Sequence, residues 1–529
     1  MPARIVLATL NAKYIHAALG LRYLMANMAR HGGADLAAVT SLHEFTIQRP
    51  AQQIVDALRQ ALGDATPAIV GFGVYIWNVE QTTAVLRLLR QQCPQLTVVL
   101  GGPEVSHEWE TQPIVALADH VITGWGDVSF AQLCRALVHG PQPLMKVIAG
   151  VQPPLDALAL PYAEYSATDL PQRVLYVEAS RGCPFQCAFC LSALDKTAWA
   201  FDLDAFLAAL ADLYQRGARH FKFVDRTFNL KLGHSLRILQ FFLDRLQAAP
   251  GTPLHLHFEL VPDHLPEPLQ AAIAQFPPGV LQFEIGIQSF NPQVQARIAR
   301  RQDNQKTADN IAWLRAHSQA HLHTDLIFGL PGEGWDSFAQ GFDRLYALGP
   351  HEIQLGLLKR LRGTPLARRS LPGAPAEDGM VYADAPPYAV RQTDAVSAAQ
   401  VQAFGRLARY WDLVVNSGRL PQGAALLLQG PSAFAAWAAF ADWLWQRSAR
   451  THGLTPEDLL DAVFDYLTQV RGLAPAHVRA ALLADYRASG ARAQPACLRG
   501  LLPRRPKAPR TALAGAQRQA RHRSPKIDA

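Results

Sequence analysis

A chain of 529 residues is longer than one hydrophobic core organises, so two to four domains are expected. Hydrophobic residues at 49% against 18% charged describe a globular protein, and no run of about 18 apolar residues offers a membrane-spanning helix. The formal charge of +7 belongs to one end: Lys and Arg from Arg499 onward give the tail +8 net of Asp528, leaving −1 elsewhere, so nucleic acid is not an expected partner of the body.

The first residues, Met-Pro-Ala-Arg-Ile-Val-Leu-Ala-Thr, read as a strand without a basic leader, and a cytoplasmic location is expected. Six cysteines in so long a chain do not suggest a disulfide framework; Cys93, Cys134 and Cys497 read as ordinary thiols. Buried strands are expected at residues 5–10, 68–75, 96–101 and 120–124, with a weaker one near 39–47. Helical spacing fills the segments 19–29, 52–62, 80–91 and 129–138 between them. This alternation predicts an α/β, Rossmann-like doubly wound sheet over residues 1–148, with ligands at the carboxyl ends of its strands. Those ends carry Asn11 and His16, then Tyr75, Trp77 and Asn78, then Gly101, Gly102, Pro103 and Glu104, then Gly124 and Gly126. Glycines at such points let a large flat ligand approach the backbone, although they also simply end strands in any domain of this kind.

Residues 149–172 are proline-rich and aperiodic, a linker. Over 173–370, strands are expected at 174–180, 220–225, 255–260, 281–289, 323–329 and 352–359, five of them leading into helices such as 203–216 and 335–348. Six such units predict a partial (β/α)6 TIM-type barrel with its chemistry on the loops after the strands. Directly after the first strand stands Arg-Gly-Cys-Pro-Phe-Gln-Cys-Ala-Phe-Cys-Leu, residues 181–191. Cys183, Cys187 and Cys190 can wrap one face of an iron–sulfur cube and leave a fourth iron open. Structural zinc is the alternative, but it wants four ligands, and His220 brings no partner at ligand spacing.

The CxxxCxxC spacing with Phe189 before the last cysteine resembles the signature of the radical S-adenosylmethionine (SAM) superfamily. The resemblance implies a 4Fe-4S cluster on Cys183, Cys187 and Cys190, whose open iron is chelated by SAM, and a 5′-deoxyadenosyl radical released on reduction. It further implies SAM contacts from Phe189, from Asp225, Arg226 and Thr227, from Gln288 and Ser289, and from Gly329, Pro331 and Gly332. Any of these can instead be a capping or turn residue.

Placed before this motif, the N-terminal segment resembles the cobalamin-binding domain of cobalamin-dependent radical SAM enzymes. Gly101-Gly-Pro-Glu104 is similar to the loop against the corrin, and Gly124-Trp-Gly-Asp127 looks like a variant of the family's Gly-Glu-Gly-Glu turn. The Asp-x-His-x-x-Gly motif that supplies a lower cobalt ligand in mutases is absent, for Tyr14 stands at the Asp position before His16.

Helical patterns at 396–416, 431–447, 457–470 and 475–487 predict a mainly helical region over 371–500, and the Pro- and Arg-rich residues 501–529 are expected to be disordered. The resemblance implies methylation of an unactivated carbon of a small-molecule or unknown substrate, with a reductant such as flavodoxin or ferredoxin as partner. Cobalamin-dependent rearrangement or cyclisation stays open beside it. So does RNA modification of the methylthiotransferase kind, which Gly286 to Pro292 and Arg300-Arg301 resemble.

Overall fold

The computed structural model describes residues 3–370, 378–489, 491, 494–502 and 521; residues 371–377 and nearly all of the basic tail, with the expectation of disorder there, lie outside the described residues. Among the described residues no helix is long and apolar enough to cross a membrane.

Strands β1 (Arg4–Asn11), β2 (Thr40–Thr46), β3 (Ala68–Gly73), β4 (Thr97–Gly101), β5 (His120–Thr123) and β6 (Val147–Ala149) form one parallel sheet in the order β2-β1-β3-β4-β5-β6. Its inner strands are buried on both faces, which is why Ile5–Leu10 and Ile69–Phe72 read as unbroken apolar runs rather than alternating ones. The order reverses between β1 and β3, and at such a switch point the crevice beyond the strand ends takes a ligand. The weak strand near residue 43 is real; β6 is an addition. It is only three residues long and half-buried to exposed, so its hydrophobic signal is faint.

The chain then crosses through β7 (Leu175–Val177), β8 (Ser180–Arg181), β9 (Trp199–Ala200), β10 (His220–Phe223), β11 (His255–Leu260), β12 (Leu281–Gln288), β13 (His321–Phe328) and β14 (Glu352–Leu357). Six of these build a second parallel sheet, β14-β13-β12-β11-β10-β7, whose two end strands do not pair, while β8 and β9 form a separate two-stranded ribbon. The expected partial barrel is therefore open along one side. Alternation is clearest in β12, where Leu281, Phe283, Ile285 and Ile287 are buried outward while Gln282, Glu284, Gly286 and Gln288 line the inside.

After the short antiparallel pair β15 (Val381–Tyr382) and β16 (Val390–Gln392) come helices Ala398–Val414, Pro421–Leu427, Ala433–Ser448, Pro456–Asp465 and Pro475–Ser489. The first starts at a capping box in which Ser397 and Gln400 satisfy each other's backbone N–H groups, and Thr455 with Asp458 repeats the device at the fourth. The helix Pro421–Leu427 went unread because its seven residues are too few to show a period. One hydrophobic core runs from the barrel into these helices. Phe328 stacks on Phe404 with ring centroids 4.1 Å apart, Phe342 meets Trp411 edge-on at 5.0 Å, and Trp411 Nε1 donates to Ile353 O at 2.8 Å. The tryptophans Trp411 and Trp437 are buried in this core.

Candidate active site

The cysteine loop is pinned on both sides. Cys183 N donates to Asp195 O at 2.8 Å, Ala188 N to Ile298 O at 2.8 Å, and Leu366 N to Ala188 O at 2.9 Å, while the β8–β9 ribbon holds its entry. Cys183 and Cys187 are buried and Cys190 is half-buried. All three line one wall of a cavity of about 240 Å³. Burial pushes the Cys183 and Cys187 thiols up, and Arg300, whose Nη1 lies 3.7 Å from Cys187 Sγ, works against that shift. Among the described residues no three His, Cys, Asp or Glu side chains converge on a point that could hold one metal ion. Three cysteines that can each meet a different iron are the ligand set an open cube takes, whereas structural zinc takes four protein ligands.

The remaining walls of this cavity come from inward-facing positions of the barrel: Arg226 and Thr227 after β10, Glu259 on β11, Glu284, Gly286 and Gln288 on β12, and Asp325 on β13. Gln288 follows a register shift in the ladder, has φ +68°, and keeps its Oε1 buried without a partner among the described residues. A buried orphan acceptor is costly unless a bound molecule satisfies it, so this position fits a SAM contact. Arg226 Nη1 pairs with Glu259 Oε1 at 2.7 Å, and Glu284 Oε2 accepts from Lys222 Nζ at 3.2 Å and lies 2.9 Å from His257 Nε2. Burial pushes His257 down to about 4, which keeps it neutral, while its hydrogen bond and Lys222 hold Glu284 ionised. Glu284, Lys222 and His257 were missed in the sequence reading. Their signal is the polar half of the strand alternation, which marks a sheet whose inner face is wet.

Other expected SAM residues are occupied elsewhere. Asp225 is buried and accepts from Ala179 N at 3.0 Å and Ser180 Oγ at 2.6 Å, tying β10 to the segment before the cysteines. Ser289 donates to Glu333 Oε1 at 2.5 Å and braces the turn after β13. Gly329, Pro331 and Gly332 do not line the cavity: a Cβ on Gly329 would sit 2.6 Å from Val390, and one on Gly332 3.0 Å from the Arg297 guanidinium. Phe189 does face the cavity.

A larger cavity of about 450 Å³ lies beyond the carboxyl ends of β3, β4 and β5 and is closed from the other side by Glu178, Ser180, Arg181 and Gly182. Tyr75, Gly101, Gly102, Gly124 and Gly126 line it. A Cβ on Gly124 would meet nothing within 4 Å and one on Gly101 only Ile122 O at 3.7 Å, so both open onto free space, the cradle a flat ligand requires. Gly102 is fixed differently: with φ +108° its Cβ would lie 2.5 Å from Val74 O. The volume and the apolar, glycine-lined wall fit part of a corrinoid.

The other expected cobalamin contacts do not line this cavity. Asn11 Nδ2 donates to His16 O at 2.8 Å and to Glu44 Oε1 at 3.0 Å. His16 Nδ1 lies 2.8 Å from the Tyr176 hydroxyl on β7, so this histidine joins the two sheets; burial, then Lys13, lowers its pKa. Asn78 is fully buried and its Nδ2 donates to Leu10 O and Gly73 O, both at 3.1 Å. Trp77 is exposed and stacks on Tyr75, rings 4.4 Å apart. Pro103 stays outside the lining, and Glu104 accepts from Arg362 Nε at 2.9 Å and the Tyr388 hydroxyl at 2.8 Å.

The two cavities share Ser192 and Arg226. At their border Arg181 pairs with Asp127 through Nη1 at 2.9 Å and Nη2 at 3.1 Å and with Glu178 at 2.7 Å, its guanidinium packed on Tyr23 at 4.2 Å and Trp125 at 4.8 Å. A parallel switch-point sheet is thus docked over an open parallel barrel, with a three-cysteine loop between them.

Comparison with known proteins places both halves. Residues 5–134 match the B12 binding domain and residues 177–345 the radical SAM superfamily. The chain belongs to the B12-binding radical SAM proteins. It is 23% identical over 339 residues to the 2-(S-pantetheinyl)-carbapenam-3-carboxylate methyltransferase of Streptantibioticus cattleyicolor, covering 58% of this chain and 49% of that protein. It is 22% identical over 375 residues to the cobalamin-dependent radical SAM methyltransferase TokK of Streptomyces tokunonensis, covering 63% and 53%. The chain thus spans about half the length of the curated relatives it matches. In fold it is similar to the radical SAM methyltransferase TsrM of Kitasatospora setae (TM-score 0.54, 15% identity, 75% of this chain and 81% of that). It is likewise similar to the cobalamin-dependent radical enzyme OxsB (TM-score 0.58, 12% identity, 92% and 80%), a likeness that extends into the helical region.

Proposed function

We propose that the chain is a cobalamin-dependent radical SAM enzyme that methylates an unactivated carbon. The observation that carries this reading is the shared wall: the cavity above the B12-domain strand ends and the cavity of the three cysteines meet at Ser192 and Arg226. When bound, the cluster with SAM supplies a 5′-deoxyadenosyl radical and the corrinoid supplies a transferable methyl group. The chain's residues have four tasks. Cys183, Cys187 and Cys190 hold the cluster, with Arg300 offsetting thiolate charge beside Cys187. Gln288 and Phe189 orient SAM from the barrel side, and Gly101 and Gly124 let the corrinoid lie flat on the sheet ends. The Arg226–Glu259 pair stands at the passage between the cavities, where it limits water and fixes the substrate's approach. A flavodoxin or ferredoxin is the proposed electron donor.

The test is anaerobic purification with iron, sulfide and hydroxocobalamin, then metal analysis and assay of SAM cleavage. About four irons and one corrinoid per chain, with 5′-deoxyadenosine formed on reduction, support the reading. Cys187→Ala is expected to lose iron and nucleoside formation together. Iron and SAM cleavage without bound corrinoid would reject the cobalamin half. A product heavier by one methyl group separates methylation from rearrangement.

A further inference from the structure

The open side of the barrel carries a feature that neither cofactor explains. Strand β14 ends its sheet, and its free edge faces a cavity of about 620 Å³ bounded by helix Ala398–Val414 and the residues just after it. At one end of that edge the backbone is capped. Ile353 N donates to Asn416 Oδ1 at 3.1 Å, and Ile353 O accepts from Trp411 Nε1 at 2.8 Å and Asn416 Nδ2 at 2.9 Å. At the other end Val390 N of β16 donates to Leu358 O at 2.8 Å. Backbone groups along a strand alternate between its two edges, so those of Leu355 and Leu357 point the same way as those of Ile353. They line the cavity, and among the described residues no hydrogen bond from a loop or a side chain reaches them. Two successive outward residues with free N–H and C=O groups are what an added strand completes.

The cavity adjoins the cysteine site. Phe189 belongs to both walls, and His323, facing this cavity, has its Nε2 3.3 Å from Oδ1 of Asp325 on the other side. Its floor is apolar, from Ile327, Leu358 and Leu361. Its rim carries two cations: Lys359, exposed and without an ion pair among the described residues, and Arg409, which donates to Thr451 O at 3.4 Å and lies 3.5 Å from Asp412, the one carboxylate in the lining.

We infer that the substrate is an extended peptide segment that adds as a strand to β14 between Ile353 and Leu358 and sets an acidic side chain against Lys359 and Arg409. The inference rests on the radical-enzyme reading and names its substrate class. It also gives the helical region a task, since Ala408, Arg409 and Asn416 form one wall of the groove.

Hydrogen–deuterium exchange on the full chain tests this with acetyl-Leu-Glu-Leu-Glu-amide as probe. Saturable binding with slowed exchange confined to residues 353–358 is expected. N-methylation of the probe's backbone is expected to weaken binding about tenfold through the lost hydrogen bonds. Replacing its Glu by Lys is expected to weaken it about fivefold. Lys359→Glu combined with Arg409→Glu should reverse the preference between the two peptides, and Ala408→Trp, which fills the groove from the helix, should abolish binding of both. No protection of 353–358 by any peptide, equal binding of the N-methylated probe, or binding of octanoate alone would each overturn the inference. Iron, corrinoid and 5′-deoxyadenosine measured on the same preparation test the radical-enzyme reading separately, so either can fail while the other stands.

Discussion

Arg181 sits between two carboxylates that come from opposite sides of the site, Asp127 of the B12 domain and Glu178 of the barrel, and all three side chains are largely buried. Removing one member of such a group leaves uncompensated buried charge, so Arg181→Ala is expected to cost about 3–5 kcal/mol in urea unfolding; a loss below about 1 kcal/mol would reject this role. Glu333 supplies a second prediction. Burial raises its carboxyl to about 7, although Ser289 and Ser337 donate to it. A carboxyl whose pKa is higher folded than unfolded binds its proton more tightly in the native state, so stability falls as pH rises from the ordinary carboxyl range to about 7 and is flat above. Glu333→Gln is expected to be more stable than the parent at pH 8, with most of that advantage gone at pH 5, when thermal unfolding is compared at the two values. Residue roles were the least legible part of the sequence. Cys183, Cys187 and Cys190 announce themselves by spacing, whereas Asn78 and Glu104 stand in motif positions yet spend their side chains on Leu10 and Gly73 and on Arg362. Spacing records which residues share a loop; it does not record which way each turns.

Elements were legible wherever a period was long enough to read. The strands of the barrel fall within a few residues of their expected places because each alternates polar-in and apolar-out over four to eight positions, apart from β7, which shortens to three residues. What escaped was short, as in β6, β9, the β15–β16 pair and the helix Pro421–Leu427. The division at residue 371 marks a change of pattern. The core itself is continuous across it, and Phe404 of the first C-terminal helix stacks on Phe328 of β13. Phe404→Ala is therefore expected to destabilise the barrel and the helices together, by about 3–5 kcal/mol, in one transition seen equally by tryptophan fluorescence and circular dichroism. Two separate transitions would show that the helices fold as an independent unit.

For the whole molecule, the B12 domain is fastened at both margins of the open barrel. Near β7, Glu44 receives Arg173 at 2.7 Å and Arg22 pairs with Asp169 at 3.0 Å. Beyond β14, Glu104 and Glu108 receive Arg362 at 2.9 and 3.1 Å, and Arg360 reaches Glu108 at 2.9 Å. The domain is thus a bridge over the gap, and a ligand gripped beneath it stabilises both sheets. Hydroxocobalamin at a hundred times its dissociation constant is expected to add about 2.7 kcal/mol to folding, read as a rise in Tm. An unchanged Tm would remove the cavity above the B12-domain strand ends from consideration as a corrinoid site. None of this bridging was visible in the sequence, because the paired residues lie up to 258 positions apart and no local pattern joins Glu104 to Arg362.

The wall shared by the two cavities also bears on what air does to the protein. Ser192 and Arg226 border both chambers, and Ser192 lies two residues past Cys190. With the proposed cluster on the three cysteines, oxidation that strips its iron would free the thiols for disulfide or sulfenic acid formation and slacken the loop beneath the corrinoid cavity. Damage at one cofactor then becomes leakage of the other: corrinoid release into the buffer should follow cluster bleaching in time, and an aerobic preparation should lose its red colour as well as its brown.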